Sequence, residues 1–112
     1  MKKDARIFIG HVLECIGLIE QYTEGKTIGD FLGSVQLQDS VIRRIEVMGE
    51  AVKNIPEDTR ARQQEIPWKQ ISGMRDILIH EYFGVDLYLV WEVVTRDIPD
   101  IKAKILRIKE VI

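Results

Sequence analysis

Several things are scarce in this sequence. Cys15 is the one cysteine among 112 residues, so neither an intrachain disulfide framework nor a cysteine-rich zinc site can form, and a reducing cytoplasm is the expected compartment. No apolar run approaches the roughly 18 to 20 residues of a membrane span. The N-terminal MKKDARIFIGHVLEC is interrupted by His11 and Glu14 and has no small-residue cleavage site, so no signal peptide is expected. Neither sign of charge dominates: 16 basic against 18 acidic residues leave a formal net charge of −2. That removes the global electrostatic case for a nucleic-acid binder and leaves room only for a local basic patch. Sustained alternation, strand-flanked hairpin turns, internal repeats and low-complexity segments are all missing. So are a His-Glu-x-x-His zinc motif, a glycine-rich phosphate loop and a serine nucleophile elbow.

What is present is helical periodicity. With 46% hydrophobic and 30% charged residues, the chain reads as one globular domain, too short for two. Ala5, Phe8, Val12, Cys15, Ile16, Ile19 and Tyr22 recur at steps of three and four, and Ile7, Ile9, Leu13 and Leu18 widen that arc. This predicts a helix over 4–24, with Asp4 as N-cap and Gly25 as stop. KTIGDFLGS is a connector with room for one short helical turn. A second helix is expected from Asp39 to Ile55 on a stripe of Val41, Ile45, Met48, Val52 and Ile55, ended by Pro56. Gly49 in its middle implies a close approach by another helix, since glycine there costs about 1 kcal/mol relative to alanine. PEDTRARQQEIP reads as a loop or short exposed helix.

Pro67 suits the first turn of a third helix carrying Trp68, Ile71, Met74, Leu78 and Tyr82, with Gly84 as its stop. Asp86 is expected to cap a last helix that buries Leu87, Val90, Trp91, Val94, Ile98, Ile101, Ile105, Ile108 and Ile112. Pro99 should kink or restart it, with Asp97 as the new cap. The expected fold is all-α, an antiparallel helical bundle of four-helix type over residues 1–112. The apolar arcs of the first and last helices are broad for a small monomer, so a homodimer is expected.

The stretch MRDILIHEYFG, residues 74–84, concentrates chemistry-bearing groups. With about 100° per residue on a helix, Arg75 and Tyr82 fall on nearly one side, and Asp76 meets His80. Arg75 and His80 diverge by about 140° on a straight helix. A wrapping arginine, a helix ending near His80, or two copies of the motif face to face would each let them converge. An imidazole moves protons near neutral pH. A guanidinium holds phosphate and stabilises charge building on it. A carboxylate four residues earlier can orient the imidazole. These groups suffice to cleave RNA without a metal or cofactor. A histidine near a helix C-terminus and a surface Arg–Asp pair are equally ordinary structural features.

Arg75, four intervening residues, His80, one residue, then Tyr82 resembles the Arg-x4-His-x-Tyr signature of the HEPN superfamily in its HepT-like branch. RRIEVMGEAVKNI (43–55) and IPWKQISGMRDILIHEYFGVDLYLVW (66–91) fit that branch too, and the resemblance covers essentially the whole chain. It implies the toxin of a toxin–antitoxin pair: a metal-independent endoribonuclease whose groove lies at a homodimer interface, with Arg75 and His80 catalytic in both protomers. It implies as partner an MntA-type nucleotidyltransferase antitoxin that attaches AMP to Tyr82. Asp76 is expected to support the site. A non-catalytic helical module that binds a nucleotidyltransferase or nucleotide is the competing expectation.

Glu50 sits beside an apolar stripe and is a candidate partner for Arg75 or another cation. Arg43 and Arg44, with Arg60, Arg62 and Lys69, read as solvated faces in preference to an RNA track. Lys102, Lys104, Arg107 and Lys109 read as the wet side of the last helix. His11 reads as structural or surface, Trp68 and Trp91 as core, and Tyr22 and Tyr88 as packing.

Overall fold

In the computed structural model of the chain the described residues are 4–80 and 84–111, with only the backbone described at Ile77, Ile79 and His80. All regular structure among them is helical. Helix α1 spans Ala5–Thr23, α2 Ile28–Leu32, α3 Val35–Lys53, α4 Glu57–Arg62 and α5 Trp68–His80. Helix α6 (Leu87–Glu92) runs through a π-helical turn (Val93–Asp97) into α7 (Ile98–Lys109).

The ends follow their caps. The Asp4 carboxylate accepts from the Arg6 amide at 2.9 Å, and Gly25 takes the left-handed φ of 72° after α1. The connector folds as α2 behind a reciprocal Thr27–Asp30 capping box. Gln38 closes its far end by donating from Nε2 to the Phe31 and Leu32 carbonyls. This turn sends Phe31 fully into the core, against Trp91 with ring centroids 5.2 Å apart. Helix α3 starts four residues before the expected Asp39, because Ser34 Oγ accepts from the Leu37 amide.

Pro67 lies just outside α5: its carbonyl accepts the first helical bond, from Ile71. Trp68 is buried and donates from Nε1 to the Gln63 carbonyl at 3.0 Å. The expected Tyr82 contribution to this face lies outside the described residues. Asp86 caps α6 as its sequence suggests, accepting from the Tyr88 and Leu89 amides.

Pro99 neither kinks the last helix at a new cap nor restarts it. Asp97 makes no capping bond; its carboxylate accepts from Gln70 Nε2 at 3.4 Å. The chain widens instead, and the Ile98 amide bonds back to the Val93 carbonyl. The wide turn accommodates the proline without breaking the rod.

The core joins Ile9, Val12, Ile16 and Ile19 of α1 to Val41, Ile45, Met48 and Val52 of α3, Ile71 of α5, and the four buried isoleucines of α7. Helix α3 packs on α1 on one side and α5 on the other. Tyr22 packs against this core, whereas Tyr88 is 64% exposed and does not serve as packing. No helix among the described residues is long and apolar enough to cross a membrane.

Candidate functional site

The site is built where α3 and α5 come closest. A methyl placed on Gly49 would overlap Arg75 Cβ and stand 3.2 Å from the Ile71 carbonyl oxygen. Only glycine permits that approach, which answers its cost in mid-helix. The approach brings the second turn of α5 beside the last two turns of α3, and with it four charged side chains.

Arg75 Nε lies 3.1 Å from Glu50 Oε2, and its Nη1 donates to Asp76 Oδ1 at 3.1 Å. The same Asp76 oxygen accepts from Lys53 Nζ at 2.6 Å. Glu50 and Lys53 are three residues apart on α3, so they present one acid and one base to α5. The Arg75 side chain is 27% exposed: its stem is covered by the helix contact while its guanidinium stays reachable. Lys53 first, and Arg75 second, hold the Asp76 carboxyl below its ordinary range.

Glu50 is thus the partner of Arg75, one of the two roles its sequence position allowed. Asp76 spends its bonds on Lys53 and Arg75. Lys53 was not legible as a participant, because its role depends on the register between two helices. His80 closes the described part of α5; its side chain, and all of Tyr82, lie outside the described residues. Any Asp76–His80 pairing lies outside them as well.

Arg75 also walls a groove of about 370 Å³ that runs between α1 and α3. Its lining includes Phe8, His11, Arg43, Glu46 and Glu50. His11 is exposed and meets Phe8 edge to face, ring centroids 5.9 Å apart at 88°. Arg43 lies 3.8 Å from Glu46, a loose surface pair. Elsewhere the basic residues behave as solvated faces: Arg62 pairs with Asp58, Lys102 with Glu20 and Lys104 with Asp100. Among the described residues no group of three His, Cys, Asp or Glu side chains is placed to hold a metal ion.

A guanidinium fixed by carboxylates at the edge of a polar groove is suited to receive a phosphate. Comparison with known proteins points the same way. A protein of Methanocaldococcus jannaschii, whose name pairs gamma-glutamylcyclotransferase with a candidate RNase, is 57% identical over 110 residues. That match takes in 98% of this chain but 50% of the relative, so the chain spans about half of that relative's length. A protein of Thermococcus cleftensis named "Probable ribonuclease HepT" is 42% identical across 98% of this chain and 100% of its own. A candidate RNase of Caldanaerobacter subterraneus is 41% identical over 95% of both. No solved structure matches. The family model described as "Ribonuclease HepT-like" matches residues 12–108, a span that contains α3, α5 and the whole Arg75 cluster, and the chain therefore belongs to the HepT-like ribonucleases of the HEPN superfamily.

Proposed function

We propose that this protein is a metal-independent endoribonuclease and the toxin of a toxin–antitoxin pair. The observation that carries the reading is Arg75, held from the side by Glu50 and Asp76 at the wall of an open groove. On the same helix His80 follows about one and a half turns later. His80 takes the proton from a ribose 2′-OH, and the freed oxygen attacks the adjacent phosphorus. The bond from phosphorus to the 5′-oxygen then breaks, giving a 2′,3′-cyclic phosphate and a 5′-hydroxyl that takes up a proton. Arg75 stabilises the charge on the pentacovalent phosphorus, and Asp76 fixes Arg75.

Because Arg75 and His80 diverge on one straight helix, the working site draws on two copies of the chain. A second copy covers the apolar depression lined by Ile45, Met74, Leu78, Leu89, Val90 and Val93. The exposed Leu89 and Tyr88 beside it support that assignment. Such pairing brings the C-terminal ends of the two α5 helices together. An MntA-type nucleotidyltransferase silences the enzyme by transferring AMP to Tyr82, which sets a bulky anion where the RNA phosphate would bind.

The test is incubation of the pure, unmodified protein with total tRNA in the presence of a chelator. Wild type cleaves; folded Arg75→Ala and His80→Ala do not. Equal cleavage by wild type and His80→Ala would defeat the reading. Co-expression with the nucleotidyltransferase should add the mass of one AMP moiety to the peptide containing Tyr82.

One observation favours a second reading. Glu50 and Asp76 together offset the charges of Arg75 and Lys53, as befits a non-catalytic helical module that binds a nucleotidyltransferase or nucleotide. That reading expects intact tRNA and partner binding unchanged by Arg75→Ala.

A further inference from the structure

We propose that the groove between α1 and α3 is a base-binding subsite for single-stranded RNA, with the His11 ring as its stacking platform; this rests on the ribonuclease reading above. Arg75 belongs both to the charged cluster and to the lining of this groove, so a strand whose phosphate meets Arg75 has its neighbouring nucleoside beside α1. The groove of about 370 Å³ falls within the range of small-ligand pockets, roughly 300–1,000 Å³, and is large enough for one nucleoside.

Its walls carry the groups that read an unstacked base. Phe8, partly buried against the core, meets the imidazole of His11 at 88°. A perpendicular contact steadies the ring and leaves at least one of its faces uncovered by Phe8, and His11 is exposed to solvent. Single-stranded RNA is bound in this way, its bases splayed onto Phe, Tyr, Trp, His or Arg planes and read along their edges. Glu46 lines the same groove. Its carboxylate can accept from the exocyclic amino group of cytosine or the N–H edge of guanine, so those bases are preferred over uracil. Arg43, 3.8 Å from Glu46, is loosely enough held to turn to a second phosphate.

The sequence gives His11 no companion, since neither a metal motif nor a charged constellation includes it. Its partner is spatial: the groove forms because α1 packs on α3 with Phe8 inward and His11 at the rim.

The experiment has two arms. In the first, fluorescence anisotropy follows the binding of a labelled, 2′-O-methylated eight-nucleotide strand of mixed sequence, a probe that lacks the attacking hydroxyl. His11→Ala should weaken binding about fivefold or more, the lower end of a base-stacking contact, with an unchanged melting temperature. His11→Phe, which keeps a planar ring, should restore most of it. Glu46→Gln should erase a preference for cytosine- or guanine-containing strands over oligouridylate. In the second arm, wild type and His11→Ala cleave unmodified RNA at subsaturating concentration, and His11→Ala should show a raised KM with kcat little changed. Wild-type affinity retained in His11→Ala would overturn the subsite, as would no binding of the probe by wild type. Probe binding that depends on His11, in a protein that leaves RNA intact, would uphold the subsite and overturn the nuclease reading.

Discussion

Gly49 on α3 and Arg75 on α5 occupy one contact: the space a methyl on Gly49 would need is already filled by the β-carbon of Arg75. Packing of the core and placement of the charged cluster are therefore set by the same pair. Gly49→Ala should separate the helices. Helix propensity returns about 1 kcal/mol, but overpacking typically costs about 1–3 kcal/mol. A net loss of up to about 2 kcal/mol in urea unfolding is expected from these opposing effects. Any RNA cleavage should fall by more than the folded fraction explains, because Arg75 moves with α5. Unchanged stability and activity in Gly49→Ala would contradict the contact.

Asp76 offers a check on the cluster by titration. Its carboxyl is held below the ordinary 3.8, chiefly by Lys53 and then by Arg75. A group whose pKa is lower in the folded than in the unfolded state favours folding when ionised. Its contribution is present above 3.8 and disappears as pH falls through the lowered value. Carboxyl NMR should give Asp76 a midpoint below that of a free aspartate, and Lys53→Met should raise it. A midpoint that ignores Lys53→Met would show that the short Lys53–Asp76 contact does not persist in solution.

Cys15 reports on the α1–α3 packing. Burial pushes its thiol above the ordinary 9.0, against the pull of the nearby Arg44. The native protein at pH 8 should therefore react slowly with an aromatic disulfide reagent, and the unfolded chain at the rate of a free thiol. Arg44→Leu should slow the native reaction further, because it removes a group that favours the thiolate. Rapid native labelling would mean that α1 opens easily.

Asp86 caps the helix that follows the Arg75–Tyr82 stretch, and its carboxylate serves two amides. Asp86→Ala should cost about 1 kcal/mol, the usual loss of an N-cap. Hydrogen exchange should speed up at Tyr88 and Leu89 and leave the middle of α3 protected. A uniform change along the chain would argue against a local cap.

The long helices were legible because their apolar positions repeat over several turns: Val41, Ile45, Met48 and Val52 are all buried. Phe31 was not, because a five-residue helix is too short to show a period. Asp97 had the composition of a cap, but the backbone kept its bonds by widening instead. The pairing of Glu50 with Arg75 could be anticipated from a glutamate beside a buried stripe and an arginine in need of an acid. Lys53 with Asp76, and His11 with the groove, depend on how one helix is rotated against another. No local pattern encodes that rotation.

The turn at Val93–Asp97 carries one more residue than an α-helical turn would. Deleting a single residue there would swing everything downstream by about 100°. Ile98, Ile101, Ile105 and Ile108 would then face water instead of α1. The length of this bulge, more than its composition, keeps the end of the chain in phase with its beginning.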